Sequence, residues 1–180
     1  MARIIPLRRR STTTVDLLVA VVVGIAVFIA VLWLKPIETS EAAPVAGLAG
    51  IATVIDGDTL DVATMRGRVR VRLDGVDAFE ARQRCGETAC GREASRALNG
   101  LIGGRPVVCV EHGVDRYDRV LARCRVDGED LGGWMVGNGH AVAYRRYSHA
   151  YVAEENQARA AGFGAWAHGF EAPEDWRHAR

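Results

Sequence analysis

Apolar and polar residues alternate along three short segments in the first half of the chain. One segment has the order Arg-Val-Arg-Val-Arg-Leu-Asp, which predicts a half-buried strand with Val69, Val71 and Leu73 facing inward. The other two segments are β-rich and flank an Asp-Gly pair, which is a strong hairpin signal. We therefore predict three consecutive strands at Gly50–Asp56, Thr59–Thr64 and Arg68–Asp74.

A helical period follows these strands, because Ala94, Leu98 and Leu101 recur at helical spacing. The remaining pattern predicts a second hairpin and two more helices. The predicted elements are a helix at Arg92–Leu101, strands at Pro106–Glu111 and Leu121–Val126, and helices at Asp130–Val136 and Tyr151–Ala161. Five short strands with a helix between the third and fourth are typical of a Greek-key barrel of the OB type. The predicted fold is an α+β protein, a five-stranded OB-type barrel with about three helices.

The N-terminal part of the chain has a different pattern. Leu17–Leu34 holds 18 residues without a charge or strongly polar group, and as a helix it spans roughly 27 Å, close to the hydrocarbon thickness of a bilayer. Met1–Arg10 carries four arginines and no acid, which predicts a cytoplasmic N-terminus. We predict a cytoplasmic segment at 1–14, a transmembrane anchor in the lipid bilayer at 15–34, a linker at 35–48 and a barrel domain at 49–177, outside the cytoplasm.

A cleaved signal peptide is the alternative interpretation of this segment. Signal peptides have an apolar core of about 7–15 residues, with a small-residue cleavage site close behind it. Ser40-Glu41-Ala42 could serve as that site, but Ala42 lies eight residues past Leu34. The length of the apolar run favours an uncleaved anchor.

Charge is divided unevenly between the N-terminal segment and the rest of the chain. The chain has 23 Lys+Arg and 22 Asp+Glu, and the first 35 residues hold five of the basic residues and one of the acids. The remainder has 18 arginines and 21 acids, a net charge of −3. Proteins that coat nucleic acid are usually strongly basic. If this domain handles nucleic acid, it must do so at a local site.

The four cysteines all lie beyond the predicted anchor. Their spacing forms no CxxC knuckle and no histidine pairs with them, which argues against a zinc site. Cys109 and Cys124 lie opposite each other if Asp115–Asp118 is the centre of a regular hairpin, and an oxidising compartment favours disulfides. We predict the pairs Cys109–Cys124 and Cys85–Cys90, with four reduced thiols as the alternative.

Acids and arginines with catalytic potential accompany the predicted strands. Asp58 and Asp77 supply the hard oxygen ligands that Ca²⁺ and Mg²⁺ prefer. A divalent cation beside Arg72 and Arg119, with the Glu80 carboxylate to orient water, suits a phosphodiester substrate. Each residue also has a purely structural explanation, since an Asp-Gly pair often only makes a turn and an arginine stripe is usually a solvated strand face.

Taken in order, the motifs of this chain resemble the staphylococcal nuclease (thermonuclease) family. The resemblance covers about Gly50–Arg177. Its motifs are IDGDTL (Ile55–Leu60), VRLDGVDAFE (Val71–Glu80), DRYDRVLARC (Asp115–Cys124), EDLGGWMVGNGHAVAYRRY (Glu129–Tyr147) and AEENQARAAGFGAW (Ala153–Trp166).

This resemblance implies an OB-type barrel with Ca²⁺ at its active site. Asp58, Asp77 and the backbone carbonyl of Ala78 match the calcium ligands of the family. By the same resemblance, the catalytic residues are as follows: Glu80 near the attacking water, Arg72 and Arg119 as phosphate-binding arginines, and Tyr117 as a contact to nucleotide phosphate.

Two positions depart from the family pattern. Phe79 stands where the family usually has proline, which predicts a looser aim for Glu80. Asp118 stands where glycine is common, and it is expected to need a positive φ, which Asp tolerates better than most residues.

The expected function is that of a membrane-anchored, extracytoplasmic nuclease that hydrolyses DNA, RNA or both by Ca²⁺-assisted attack of water. The alternative is a catalytically silent barrel that binds nucleic acid or protein. The sequence implies no protein partner.

Overall fold

The computed structural model describes residues 47–180. The predicted cytoplasmic segment and transmembrane anchor, and all but two residues of the predicted linker, lie outside these residues. Within residues 47–180, no helix combines the length and the apolar character that crossing a membrane requires.

A closed barrel of five strands forms the centre of the described domain. Strands β1, β2, β3, β5 and β6 pair in the cyclic order β1-β2-β3-β6-β5, and the parallel pairing of β3 with β6 closes the barrel. This is the predicted OB-type topology. The strands of the described domain are β1 (Leu48–Val54), β2 (Thr59–Thr64), β3 (Gly67–Leu73), β4 (Val76–Ala78), β5 (Pro106–Val114), β6 (Val120–Val126), β7 (Glu129–Asp130) and β8 (Ala141–Ala143).

Alternation along β3 determines which side chains enter the barrel. Val71 and Leu73 are buried in the core, and Val69 packs against it, as predicted. The arginines between them lie on the outer face, since successive side chains of a strand point to opposite sides. The core also contains Ala94 and Leu98 of the first helix, both fully buried.

The described helices lie outside the barrel wall. They are α1 (Cys90–Ile102), α2 (Leu131–Gly137), α3 (Val152–Ala161) and α4 (Pro173–His178), together with a 3₁₀ helix at Gly164–Ala167. The first three were predicted within about two residues at each end. Asp130 caps α2 by accepting hydrogen bonds from the backbone N–H groups of Gly132 and Gly133. Helix α4 was not predicted.

Both predicted disulfides are present. Cys109 and Cys124 are directly opposite each other in the β5–β6 pair, and Cys85 is bonded to Cys90. The hairpin itself is less regular than expected, because its register shifts between Glu111 and Gly113. The tip turn is present, with the N–H of Asp118 donating to the carbonyl of Asp115 at 3.1 Å. Asp118 has φ of 60°, as its position required.

Candidate active site

The turn between β1 and β2 carries Asp58 into the domain. The side chain of Asp56 accepts a hydrogen bond from the N–H of Asp58 at 3.1 Å and so closes the turn. Gly57 lies where a Cβ would come within 2.7 Å of the Cβ of Ala78 and 2.8 Å of the Cβ of Ala94. The glycine therefore lets the turn approach β4 and α1 closely. Asp58 is consequently held against β4, where its Oδ2 accepts the N–H of Ala78 at 2.9 Å.

Arg72 joins the two candidate metal ligands. It is ion-paired through Nη1 with Oδ1 of Asp58, and its Nη2 donates to Oδ1 of Asp77 and to the carbonyl of Val76, at 3.2 Å in each case. Its side chain is only 12% exposed. The neighbouring Arg70 instead pairs with Asp61 at the exposed surface. The arginine stripe of β3 thus contains one arginine of the site, Arg72, and two exposed arginines, Arg68 and Arg70.

Burial and neighbouring charges shift the pKa values of Asp77 and Arg72 upward. Burial raises the pKa of the Asp77 carboxyl; the contact with Arg177 opposes that shift, and the charge of Asp58 adds to it. Burial acts to lower the pKa of the Arg72 guanidinium, but Asp58 and Asp77 outweigh burial, so the pKa is raised and the group stays protonated. Arg72 is therefore a fixed positive charge between two carboxylates.

Glu80 lies on the loop that follows β4, at the edge of this cluster. Its N–H donates to the side-chain carbonyl of Gln83 at 3.1 Å, and its carboxylate is 34% exposed. Helix α1 begins against this loop, because Gly91 leaves the space in which a Cβ would lie 1.8 Å from the Glu80 carbonyl oxygen. Phe79 is buried, with its ring edge-on to Phe170 at 4.9 Å. The loop is thus packed in place without the proline of the family pattern.

Arg177 of α4 also belongs to the cluster, and sequence reasoning assigned it no role. Its Nη1 donates to Oδ1 of Asp77 and to Oε1 of Glu80, both at 2.9 Å, and its Nη2 donates to Oδ2 of Asp77 at 3.1 Å. The contacts join residues 97 and 100 positions apart in the chain. No local spacing pattern signals a contact of that separation. Arg177 lies in the last turn of a six-residue helix close to the C-terminus, a place that the sequence alone does not connect with Asp77 or Glu80.

Tyr117 and Arg119 lie on the β5–β6 hairpin. Arg119 donates from Nε to Oδ2 of Asp115 at 2.8 Å, and its guanidinium lies 5.4 Å from the ring centre of Tyr117. Asp115 was predicted from the sequence only as part of the hairpin turn, and the structure shows that it also holds this arginine. Within residues 47–180, the hydrogen bonds and ion pairs of Tyr117 and Arg119 do not reach Asp58, Asp77 or Glu80. The structure therefore gathers Asp58, Arg72, Asp77, Ala78 and Glu80 and places the other two on a neighbouring hairpin.

Asp58 and Asp77 retain acceptor capacity for a hard divalent cation. Each aspartate accepts three hydrogen bonds, from Arg72, Thr59 and Ala78 at Asp58 and from Arg72 and Arg177 at Asp77. A carboxylate has about four acceptor positions, so each keeps one for a cation. No set of three or more His, Cys, Asp or Glu side chains in the described part of the chain is arranged as a metal cluster. The residues fit a cation held by two carboxylates and a carbonyl, with further oxygens from water or substrate.

The barrel and its arginine–carboxylate site define a class: an OB-type barrel with a polar centre suited to an anionic ester. The chain belongs to the staphylococcal nuclease family, whose model, described as "Staphylococcal nuclease homologue", matches residues 70–168, more than half of the chain. The recognised resemblance is therefore confirmed.

Individual relatives agree with this membership. An "Uncharacterized endonuclease" of Haemophilus influenzae is 34% identical over 131 residues, covering 71% of each chain. A "Micrococcal nuclease" of Shigella flexneri is 34% identical over 143 residues, covering 72% of this chain and 79% of the relative. The "Succinoglycan biosynthesis protein ExoI" of Rhizobium meliloti is 35% identical over 136 residues, covering 71% and 69%.

Proposed function

We propose that this protein is a nuclease that hydrolyses phosphodiester bonds of DNA, RNA or both. The observation that carries the proposal is the cluster in which Arg72 bridges Asp58 and Asp77 while Glu80 stands at its solvent edge. Membership of the staphylococcal nuclease family and relatives that carry the names endonuclease and micrococcal nuclease support the same function.

The side chains divide the work of the reaction. Arg72 donates three hydrogen bonds within the site, and a guanidinium has five N–H donors, which leaves two for the phosphate oxygens. Arg119 supplies a second guanidinium for the phosphate oxygens. Tyr117, which is 64% exposed, supplies a hydroxyl that can contact the nucleic-acid backbone. Both arginines bind charge that grows on the phosphoryl oxygens in the transition state.

Glu80 orients and deprotonates the attacking water. Its partly exposed carboxylate takes a proton as the water oxygen forms a bond to phosphorus and the bond to the leaving oxygen breaks, and the leaving oxygen then takes a proton from solvent. We propose Ca²⁺ as the cofactor, held by Asp58, Asp77 and the carbonyl of Ala78. When bound, the cation polarises the phosphoryl oxygen. Oxygen-only ligands at these three positions support a hard cation.

We further propose that the enzyme acts outside the cytoplasm while anchored in the membrane. The support is the charge-free run Leu17–Leu34 behind a basic N-terminal segment. Two disulfides in the domain are consistent with an oxidising compartment.

The test is cleavage of DNA and of RNA by the purified protein, with Ca²⁺ and with excess chelator. Glu80→Gln is expected to lower kcat by about 10²-fold or more, the scale of lost general-base help. The matched control is Glu87→Gln, because the Glu87 side chain is fully exposed and should leave the rate unchanged.

Two outcomes would contradict the proposal. Nucleic-acid binding without turnover by the wild type would favour the silent binding module instead. Full cleavage in excess chelator would contradict the Ca²⁺ requirement while leaving the nuclease function standing.

A further inference from the structure

We propose that Arg177 is a positioning residue that holds the Glu80 carboxylate in the active site. This inference rests on the nuclease function proposed above. Arg177 lies beyond residues 70–168, the part of the chain that matches the family model. Helix α4, which carries Arg177, is a C-terminal element outside the match.

The contacts of Arg177 form a bridge from a fixed carboxylate to a freer one. Asp77 is only 1% exposed and is also held by Arg72, so its position is fixed by the domain core. Arg177 donates hydrogen bonds to both carboxylate oxygens of Asp77 from Nη1 and Nη2. The second N–H of Nη1 donates to Oε1 of Glu80. Glu80, at 34% exposure, would otherwise have the rotamer freedom of a surface side chain.

The bridge leaves Glu80 free to act. Among residues 47–180, Oε2 of Glu80 receives no hydrogen bond, so one carboxylate oxygen stays available for water. A contact that shut the site would occupy both oxygens. Arg177 therefore fixes the direction of the carboxylate without removing its acceptor.

Helix α4 is itself held against the Glu80 loop, so Arg177 is already in position. The side chain of Gln83, which is buried, donates to the carbonyl of Glu171 at 2.7 Å. Arg146 pairs with Glu174 of α4 at 2.8 Å. The Gln83 contact and the packing of Phe79 on Phe170 hold the loop against the segment that leads into α4, independently of Arg177. Loss of Arg177 should release the Glu80 side chain and leave the backbone in place.

Arginine is needed for this role because the bridge requires three N–H donors in one plane. A lysine ammonium is a compact charge on a flexible stem and cannot reproduce a bidentate fork. Arg177→Lys should therefore keep the local charge and still lose the alignment.

The experiment compares Arg177→Ala, Arg177→Lys and the wild type in nucleic-acid cleavage. Misplacement of a catalytic group by about 1 Å can cost on the order of 10²-fold, and we expect a fall in kcat of that order with little change in KM. Millimolar guanidinium should restore part of the kcat of Arg177→Ala, and an equal concentration of sodium chloride should not. Arg180→Ala is the matched control, because Arg180 contacts Trp176 and Glu171 and none of the site carboxylates.

A second measurement does not depend on activity. Crystal structures of the cation-free proteins should show one Glu80 conformer in the wild type and several in Arg177→Ala, with the same loop backbone. If Arg177→Ala does not fold, Arg177→Gln provides the same comparison.

Three results would overturn the inference. Faster cleavage by Arg177→Ala would mean that Arg177 inhibits the site. An unchanged kcat would mean that Arg177 does not position Glu80 for catalysis. A single unchanged Glu80 conformer in the variant would equally contradict it. If the wild type cleaves no nucleic acid, the proposed function fails, and the crystal structures still decide whether Arg177 positions Glu80.

Discussion

Gly57 shows how a single missing side chain shapes the site. A Cβ at this position would meet the Cβ atoms of Ala78 and Ala94, at 2.7 and 2.8 Å, and neither atom can move without its backbone. Gly57→Ala should therefore lower the free energy of unfolding by about 1–3 kcal/mol, the usual cost of overpacking, and displace Asp58. Urea denaturation measures the first effect and the cleavage rate the second.

Gly100→Ala is the matched control for this prediction. Gly100 lies in helix α1, and nothing stands within 4 Å of the Cβ that alanine would add. Alanine should stabilise the helix by about 0.5–1 kcal/mol, because glycine loses more conformational freedom on folding. Equal effects of the two substitutions would contradict the packing argument.

His140 gives the stability of the domain a specific pH dependence. Its ring stacks on Trp134 with centroids 5.7 Å apart, and burial lowers its pKa below the ordinary 6.5, while the charge of Glu93 opposes the shift. The unfolded chain therefore binds this proton more readily than the folded one. Above about pH 6.5 the group has no effect on stability; as pH falls from there toward the folded pKa, stability is lost.

His140→Gln should remove this part of the acid sensitivity. Between about pH 7.5 and pH 5.5, the free energy of unfolding of the variant should fall less than that of the wild type, because glutamine has no proton to gain. Chemical denaturation at the two pH values measures the difference. The exposed His149→Gln should keep the wild-type dependence, and an equal slope in all three proteins would contradict the prediction.

The sequence predicted four residues of this candidate site. Asp58, Arg72, Asp77 and Glu80 were found because their spacing is local to one turn, one strand and one loop, and the structure places them together. Arg177 was not found, since its contacts span 97 and 100 positions and depend on how the C-terminal segment packs. The expected looseness at Phe79 followed from the absence of proline alone, and the aromatic contact with Phe170 was invisible in the sequence.

At the scale of elements, periodicity predicted the barrel and missed the short pieces around it. The five barrel strands and helices α1 to α3 have six or more residues each, enough to show alternation or a helical period. Strands β4 and β8 have three residues each and exist by pairing with each other, from Val76↔Ala143 to Ala78↔Ala141. A three-residue pattern carries no period, although β4 is the element that carries Asp77 and Ala78.

The β5–β6 hairpin is an element whose stability depends on a disulfide. Cys109 and Cys124 are both fully buried, and their bond closes a loop of about 15 residues that carries Tyr117 and Arg119. The double variant Cys109→Ala with Cys124→Ala should lose about 3 kcal/mol of unfolding free energy on the chain-entropy estimate. The Cys85–Cys90 bond closes a shorter loop, so its removal should cost about 2 kcal/mol on the same estimate.

Thiol titration of denatured, unreduced protein decides whether both bonds form. The structure predicts no titratable thiol, since residues 47–180 contain no free cysteine. Two thiols would leave one bond, and four would refute both. Equal stability losses from the two double variants would contradict the dependence on loop length.

At the scale of the whole molecule, the net charge of the domain does not favour the anionic substrate that its site suits. Beyond residue 35 the chain carries 18 arginines and 21 acids, so it has no general attraction for a polyanion. Binding must then come from Arg72 and Arg119, each with its guanidinium directed by a carboxylate partner. The proposed membrane anchor would suit such a domain, because it would confine the domain to one surface without a basic coat.

The anchor itself is open to direct test. The 18-residue charge-free run at Leu17–Leu34 is long enough to span the bilayer, and four arginines before it predict a cytoplasmic N-terminus. The full chain should sediment with membranes, resist a high-salt wash and dissolve in detergent. A protease added on the extracytoplasmic side of the membrane should digest the domain. Deletion of residues 15–34 should abolish membrane attachment. A soluble mature form beginning near Ala43 would contradict the anchor and favour a cleaved signal peptide.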